Sequence, residues 1–480
     1  MLSSLPSFLP VVPEMFVAAM ACCILVIDVF LHDSWRDITH WLAIATVAAT
    51  AWLTFAVSAH APLLTFHDMF VNDAMGNALK LFVYLMVAVT FIYSRGYLRD
   101  RSLFKGEFYV LGLFGMLAMM IVISAHDFIT IYLGLELLAL CLFAMVAMDR
   151  DSPVGSEAAI KYFILGAIAS GTLLYGFSLL YGASGTLDLT ALGMHIAESS
   201  LVNIGIMLAL GFVIVGLCFE LEAVPFHMWL PDVYEGAMTP VTLYVGSLPK
   251  IAIFALFIRL LVEGLGGLKL EWHLILTVIA VLSMAIGSIV ALMQTNLKRM
   301  LAYSNISHVG FILLGILAGT TEGYRAAMFY TLTYVIMAAA AFGMIILLAR
   351  KGFESDKLED FRGLNERSPW FAGMMLFTMF GMAGVPPFVG FFAKLYVLRA
   401  VIDVHMVWLA VVAVVFAVIS SWYYLKVVKL MYFEKAPEAS GPIHCPIEMR
   451  WVLSANGIAV LALGVLPGPL MALCSHVITF

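Results

Sequence analysis

Charge is what this sequence has least of. Its 480 residues include 25 Lys and Arg and 31 Asp and Glu, 12% charged in all, where a soluble domain carries about 25%. So sparse a set cannot solvate a protein surface or neutralise a run of phosphates. Soluble, disordered, coiled-coil and nucleic-acid-binding classes are therefore excluded together. Cysteine is scarce as well. The six residues Cys22, Cys23, Cys141, Cys218, Cys445 and Cys474 sit mostly inside apolar runs without metal-ligand spacing. They are expected to act as small hydrophobes, forming neither a disulfide framework nor a zinc site. A phosphate-binding glycine loop, a haem-ligand pairing and an iron–sulfur cysteine run are all missing, so any redox chemistry coupled to this chain is expected in partners. The run after Met1 has no basic stretch, and the first apolar segment is expected to be retained.

Hydrophobic residues, by contrast, make up 63% of the chain, with a mean hydropathy of +1.03. This composition predicts an all-α polytopic membrane protein embedded in a lipid bilayer. A spanning helix needs about 20 apolar residues. That length predicts fourteen segments, near 7–31, 38–58, 75–95, 107–125, 127–149, 158–182, 201–236, 240–263, 271–294, 300–319, 323–350, 369–402, 404–434 and 450–475. The odd-numbered loops hold 17 basic residues, Lys298 and Arg299 among them, and the even-numbered ones 4, including Arg259. By the positive-inside rule the odd loops face the cytoplasm and both termini lie outside.

Two segments, 201–236 and 369–402, are too long for simple spans and contain prolines near the middle: Pro225, and Pro386 with Pro387. An interior proline loses a backbone hydrogen bond and clashes with the turn before it, so both helices should break. Lipid cannot satisfy the freed carbonyls, so the breaks must line protein or a water-filled cavity. The two helices lie five spans apart and so cross in opposite directions, as inverted repeats require. The expected organisation is three N-terminal helices over 1–106, a first repeat over 107–265 broken at Pro225, and a second, inverted five-helix repeat over 266–434 broken at Pro386–Pro387. A loop and final helix follow over 435–480. Pro249 adds a third distortion.

An ionisable group near the bilayer centre costs roughly 2.5–3.5 kcal/mol on insertion scales, so each one asks for a role. Glu136, Glu220, Lys250 and Lys394 lie deep in their segments, with His308 beside them in the tenth. Other groups have simpler explanations. Lys80 and Lys161 are near span ends and can snorkel; Glu157 can pair with Lys161 at i,i+4; Glu14 and Asp28 can be interfacial. Glu222, two residues from Glu220, falls on nearly the opposite helix face, and its role stays open, as does that of His227. A mid-membrane series of Glu, Lys and His suits protons, because burial brings acids and amines toward a common range where a proton is both accepted and released.

The run Val224-Pro225-Phe226-His227-Met228-Trp229-Leu230-Pro231-Asp232-Val233-Tyr234-Glu235-Gly236 resembles the broken-helix motif of the antiporter-like membrane subunits of NADH:quinone oxidoreductase, respiratory complex I. So do the run from Gln294 to His308 and the stretch from Gly384 to Lys394. The likeness extends over essentially the whole chain. It implies proton translocation in a bacterial inner membrane, driven by NADH oxidation in partner subunits that carry FMN, iron–sulfur clusters and quinone. It further implies neighbours of the subunit M and subunit K types. In the family a glutamate in the fifth span and lysines in the seventh, eighth and twelfth carry the proton. Glu136, Lys250 and Lys394 match three of these. The seventh-span lysine, five residues before the proline, is here Glu220. Should Glu136 and Glu220 be neighbours, they would hold one shared proton between them; an inactive half-channel is the rival reading. A subunit of a multisubunit cation/proton antiporter shares the pattern, as would a membrane scaffold with vestigial charges.

Overall fold

The computed structural model describes residues 7–58, 61–198, 204–436, 443 and 445–479. The start of the 201–236 segment and most of the 435–450 loop lie outside these residues. The chain is helical almost throughout. Three helices open it, α1 (Val12–Phe30), α2 (Asp37–Ala56) and α3 (Ala74–Asp100), followed by α4 (Gly106–Ser124), α5 (Phe128–Val146), α6 (Pro153–Ser184) and a short α7 (Leu189–Glu198). Then come α8 (Ile204–Glu220), α9 (Leu230–Gly236), α10 (Thr239–Ser247), α11 (Pro249–Phe257) with a π-helical extension over Ile258–Gly264, α12 (Lys269–Leu292), α13 (Leu297–Leu317) and α14 (Thr321–Leu348). The last are α15 (Leu364–Arg367), α16 (Pro369–Ala383), α17 (Val389–Asp403), α18 (Val407–Phe433), α19 (Ile447–Val465) and α20 (Gly468–Val477). Among the described residues, twelve helical stretches are long and apolar enough to cross a membrane. The broken pairs α8/α9 and α16/α17 bring the crossings to the expected fourteen.

Local chemistry sets many helix starts. Asp73, Asp127, Ser152, Asn296 and Thr320 precede α3, α5, α6, α13 and α14, and each side chain accepts a first-turn backbone N–H. Each thereby satisfies a donor that lipid could not. Close packing follows from small residues. A Cβ at Gly287 of α12 would lie 2.7 Å from the Tyr303 carbonyl of α13, so only glycine lets these two helices approach so closely. The outer helices α2, α6, α18 and α19 turn large apolar side chains outward, including Trp52, Ile168, Trp422 and Trp451. At the centre, the most apolar stretch of α14 is buried on every side.

Four details depart from the sequence expectation. The first break begins at Glu220, before Pro225. A small antiparallel hairpin, β1 (Leu63–Thr65) with β2 (Phe70–Asn72), packs against the ends of α3 and α4. Lys80 does not snorkel: it is 2% exposed and pairs at 2.5 Å with Glu14, itself buried rather than interfacial. Arg259 and Lys298, counted above with the loops, are also buried, at 1% and 2% exposure. Arg259 is held by Asp73 at 2.9 Å.

Candidate functional site

Both breaks are built the same way. Proline at position i has no N–H for the carbonyl of residue i−4 and crowds it sterically. Four residues before Pro225 is Leu221, and four before Pro387 is Ala383; α8 ends at Glu220 and α16 at Ala383. Each end closes in the two-bond pattern that satisfies terminal carbonyls. Ala223 N–H donates to the Cys218 carbonyl (2.8 Å) and Glu222 N–H to that of Phe219 (3.0 Å). Val385 and Gly384 repeat these bonds to Phe380 and Gly381, both at 3.0 Å. The left-handed residue that the motif requires is Gly384 in the second break, at φ +84°, and Glu222 in the first, at φ +68°.

That turn decides where the acids point. Glu220, on the last turn of α8, faces a cavity of about 70 Å³ shared with Glu136 of α5 and with Ser170 of α6. The Ser170 hydroxyl donates to Glu136 and lies 3.2 Å from the Tyr132 hydroxyl. A cavity of this size holds a few waters. Glu222, reversed by its left-handed backbone, points away from the cavity to Lys250, with Oε2 and Nζ 2.6 Å apart and both residues at most 2% exposed. Asn305 of α13 donates to the same carboxylate and lies 3.1 Å from the Tyr234 hydroxyl. Lys250 follows Pro249, where α10 gives way to α11, and its Nζ also donates to the Gly246 carbonyl at 2.8 Å. Two carboxylates two residues apart thus serve two separate sites.

His308 is enclosed by phenols. Its Nδ1 lies 2.7 Å from the Tyr330 hydroxyl and its Nε2 2.9 Å from that of Tyr424. The Tyr334 ring bridges toward the ion pair: its centroid is 5.0 Å from the His308 ring and 5.9 Å from Lys250 Nζ. Lys394 of α17 reaches back to the end of α16, donating to the Met382 (3.1 Å) and Ala383 (2.9 Å) carbonyls. The negative end of that half-helix holds the ammonium.

The structure therefore brings together Glu136 with Glu220, and Lys250 with Glu222, and sets the Tyr334 ring between Lys250 and His308. Lys394 Nζ lies 5.4 Å from the Phe311 ring, which stacks on Tyr330. Glu157, Lys161 and His227 stand apart. Lys161 is 43% exposed at its side chain and pairs with Glu157 (2.8 Å) and Asp232 (2.7 Å). Asp232 and Glu235 also hold Arg299. His227 lies half-buried in the first break with Nδ1 unpartnered. Among the described residues no group of three or more His, Cys, Asp or Glu side chains could hold a metal ion. Sequence reasoning missed Asn305, Tyr234, Tyr330, Tyr334 and Tyr424. Asn305 carried a signal, as a carboxamide in the middle of an apolar span.

A fourteen-crossing bundle with two broken helices, a buried acid and buried lysines beside them, and two further acids on a shared cavity defines an antiporter-like membrane subunit. Residues 125–420 match the family described as NADH:quinone oxidoreductase/Mrp antiporter, TM. A chain of the Mrp complex from Dietzia sp. superposes with a TM-score of 0.84 at 22% identity, over 98% of this chain and 97% of that one, a likeness of fold. A chain of respiratory complex I from Thermus thermophilus superposes with a TM-score of 0.82 at 29% identity, over 96% and 99%. NADH-quinone oxidoreductase subunit N of Thioalkalivibrio sulfidiphilus is 58% identical over 99% of both chains; that of Thiobacillus denitrificans is 54% identical over 99% of this chain and 98% of its own. The chain belongs to the NADH-quinone oxidoreductase subunit N family.

Proposed function

We propose that this chain moves protons across the membrane as the N subunit of NADH:quinone oxidoreductase, through Glu136 and Glu220, the Glu222–Lys250 pair, His308 and Lys394. The observation that carries this reading is the Glu222–Lys250 pair. A buried ion pair adds little net stability, because desolvating both charges offsets their attraction. Its placement at a helix break, between a water-sized cavity and a phenol-bound histidine, suits proton exchange. Glu136 and Glu220 share one proton across their cavity, and Glu222 passes charge to Lys250. Tyr334, His308 and the two phenols lead toward Lys394. Glu157, Lys161 and His227 stay outside this path.

No step of NADH oxidation occurs on this chain in this reading. FMN, iron–sulfur clusters and quinone belong to partner subunits, and the flanking membrane neighbours are of the M and K types. The biased loop charges support a bacterial inner-membrane orientation with both termini periplasmic. A cation/proton antiporter subunit is the weaker reading, since the likeness to the Mrp chain is one of fold. The test uses inverted membrane vesicles carrying Lys250→Ala or Lys394→Ala, with assembly checked on a native gel. NADH oxidation and the pH gradient should fall together in an assembled complex. An assembled complex with both unchanged would remove these lysines from the path.

A further inference from the structure

Lys298 stands two residues into α13 and is 2% exposed. Among the described residues it makes no ion pair. Its Nζ donates to the Ala237 carbonyl at 2.8 Å, and from beyond contact the carboxylates of Glu354, Asp356 and Glu235 act on it, opposed by the Arg101 guanidinium. A buried ammonium held by one carbonyl is costly, and the fold retains it at a particular place. The turn Ala237–Thr239, which joins α9 to α10, meets Lys298 on one side. On the other, Thr239 reaches Glu354 at 3.3 Å. The Glu354 side chain is 39% exposed and is also bound by Tyr97 and Arg101. This end of the bundle carries the basic loops.

From that turn, two helix faces run inward to the ion pair. On α13, Lys298, Ala302 and Asn305 follow one another at four- and three-residue spacing, about 10 Å from first to last along the axis. On α10 and α11, Thr242, Gly246 and Lys250 recur every four residues. The Thr242 hydroxyl is within reach of the Tyr234, Ala237 and Met238 carbonyls, at 3.1, 3.4 and 3.3 Å. Tyr234 fills the space between the faces, its hydroxyl so close to Gly246 that any Cβ there would collide with it. The side chains along both faces are small or polar, unlike the apolar interior around them.

We propose that Lys298 is the residue through which protons enter the relay from the cytoplasmic face, delivered along this corridor to Glu222 and Lys250. The inference rests on the proton-relay reading and the orientation given above. A proton gathered near Glu354 binds the neutral Lys298 amine. The resulting ammonium returns it, through water, to the Tyr234 hydroxyl as that hydroxyl's own proton passes, through water beside the Asn305 amide that contacts both groups, to the Glu222 carboxylate. Lys298 is left a neutral amine, ready for the next proton. Neutralising Glu222 releases the hold on the Lys250 ammonium, which can then pass its proton onward.

The competing role is structural: a cation at this position also caps the α9 carbonyls. Arginine separates the two, since it keeps the charge and the donors but does not release a proton. Lys298→Arg and Lys298→Gln are compared with Lys250→Ala in inverted vesicles, whose outer face is the cytoplasmic one. The expected result is that both Lys298 variants assemble on native gels, while NADH oxidation and the initial rate of gradient formation fall several-fold. The loss should deepen as the outer pH is raised and protons become scarcer. Normal gradient formation by Lys298→Arg, with Lys250→Ala impaired, would leave Lys298 a helix cap and overturn the proposal. The same holds for an assembled Lys298→Gln complex with wild-type pumping, or for failure of both variants to assemble. Lys250→Ala with normal pumping would sink the underlying relay reading instead.

Discussion

Glu222 and Gly384 occupy the same position in two matching helix ends, each three residues before a proline and each left-handed, at φ +68° and +84°. Glycine takes this conformation freely, whereas a residue with a Cβ does so at a cost. In the second break the position is left to the backbone, and Lys394 lies against it. In the first, a carboxylate has been placed on it and buried against Lys250.

Replacing Glu222 should show what that carboxylate is for. Glu222→Gln strands the buried Lys250 ammonium, at a cost of about 3–5 kcal/mol. Glu222→Gly relieves the left-handed backbone by roughly 1–2 kcal/mol but loses the same partner. Both variants are expected to have a lower midpoint of thermal inactivation than wild type and to form less gradient. A glycine variant more stable than wild type and fully pumping would mean that the acid is dispensable.

Glu220→Lys is expected to assemble and pump. Glu136 faces that position across a cavity wide enough for a longer side chain, and a lysine there forms an ion pair with it. Gradient formation in vesicles is the readout. An assembled complex that oxidises NADH without building a gradient would show that the site works only with two acids.

Gly384→Ala combines two effects. The left-handed backbone disfavours alanine by roughly 1–2 kcal/mol, and the new Cβ would stand 2.9 Å from Lys394 Cδ. A lower thermal midpoint and slower gradient formation are expected together. A purely thermal effect would indicate that the exact seat of Lys394 on the α16 carbonyls does not matter.

His308→Phe breaks the bonds to both phenols: the Tyr330 hydroxyl loses its buried partner, at about 1–3 kcal/mol, while the Tyr424 hydroxyl keeps Ser304. Tyr330→Phe with His308 intact removes only one of these bonds and should be milder in both stability and pumping. Measuring the two variants side by side separates loss of a hydrogen-bond hub from loss of a proton carrier. Equal pumping defects would point to the hydrogen bond alone.

Much of this arrangement was legible in the sequence, for identifiable reasons. Spans announce themselves by length and hydropathy. Glu136, Lys250 and Lys394 stood out because charge is expensive in lipid. Glu222 stayed open because helical periodicity was carried on to Pro225, which set it opposite Glu220. The constraint of proline acts four residues earlier, at Leu221, so the helix was already over. Gly384 fits its end with no such surprise. The tyrosines around His308 could not be picked out, since a phenol in a buried span looks like any core aromatic until its hydroxyl has a partner. Lys298 read as a topology signal because its neighbour Arg299 is one.

The burial of α14 on every side has a consequence for how the protein is made. Its neighbours include α3, α10, α11 and α13, which precede it in the chain, and α16, α17, α19 and α20, which follow. During synthesis α14 must therefore cross the membrane with one flank against finished protein and the other against lipid, until the later helices arrive. Its most apolar 18-residue stretch, with a mean hydropathy of 2.2, lets it wait there. The apolar side chains that pack the finished interior therefore also carry the nascent helix through the bilayer, and a polar substitution that the mature fold accommodates is expected to lower the yield of inserted protein.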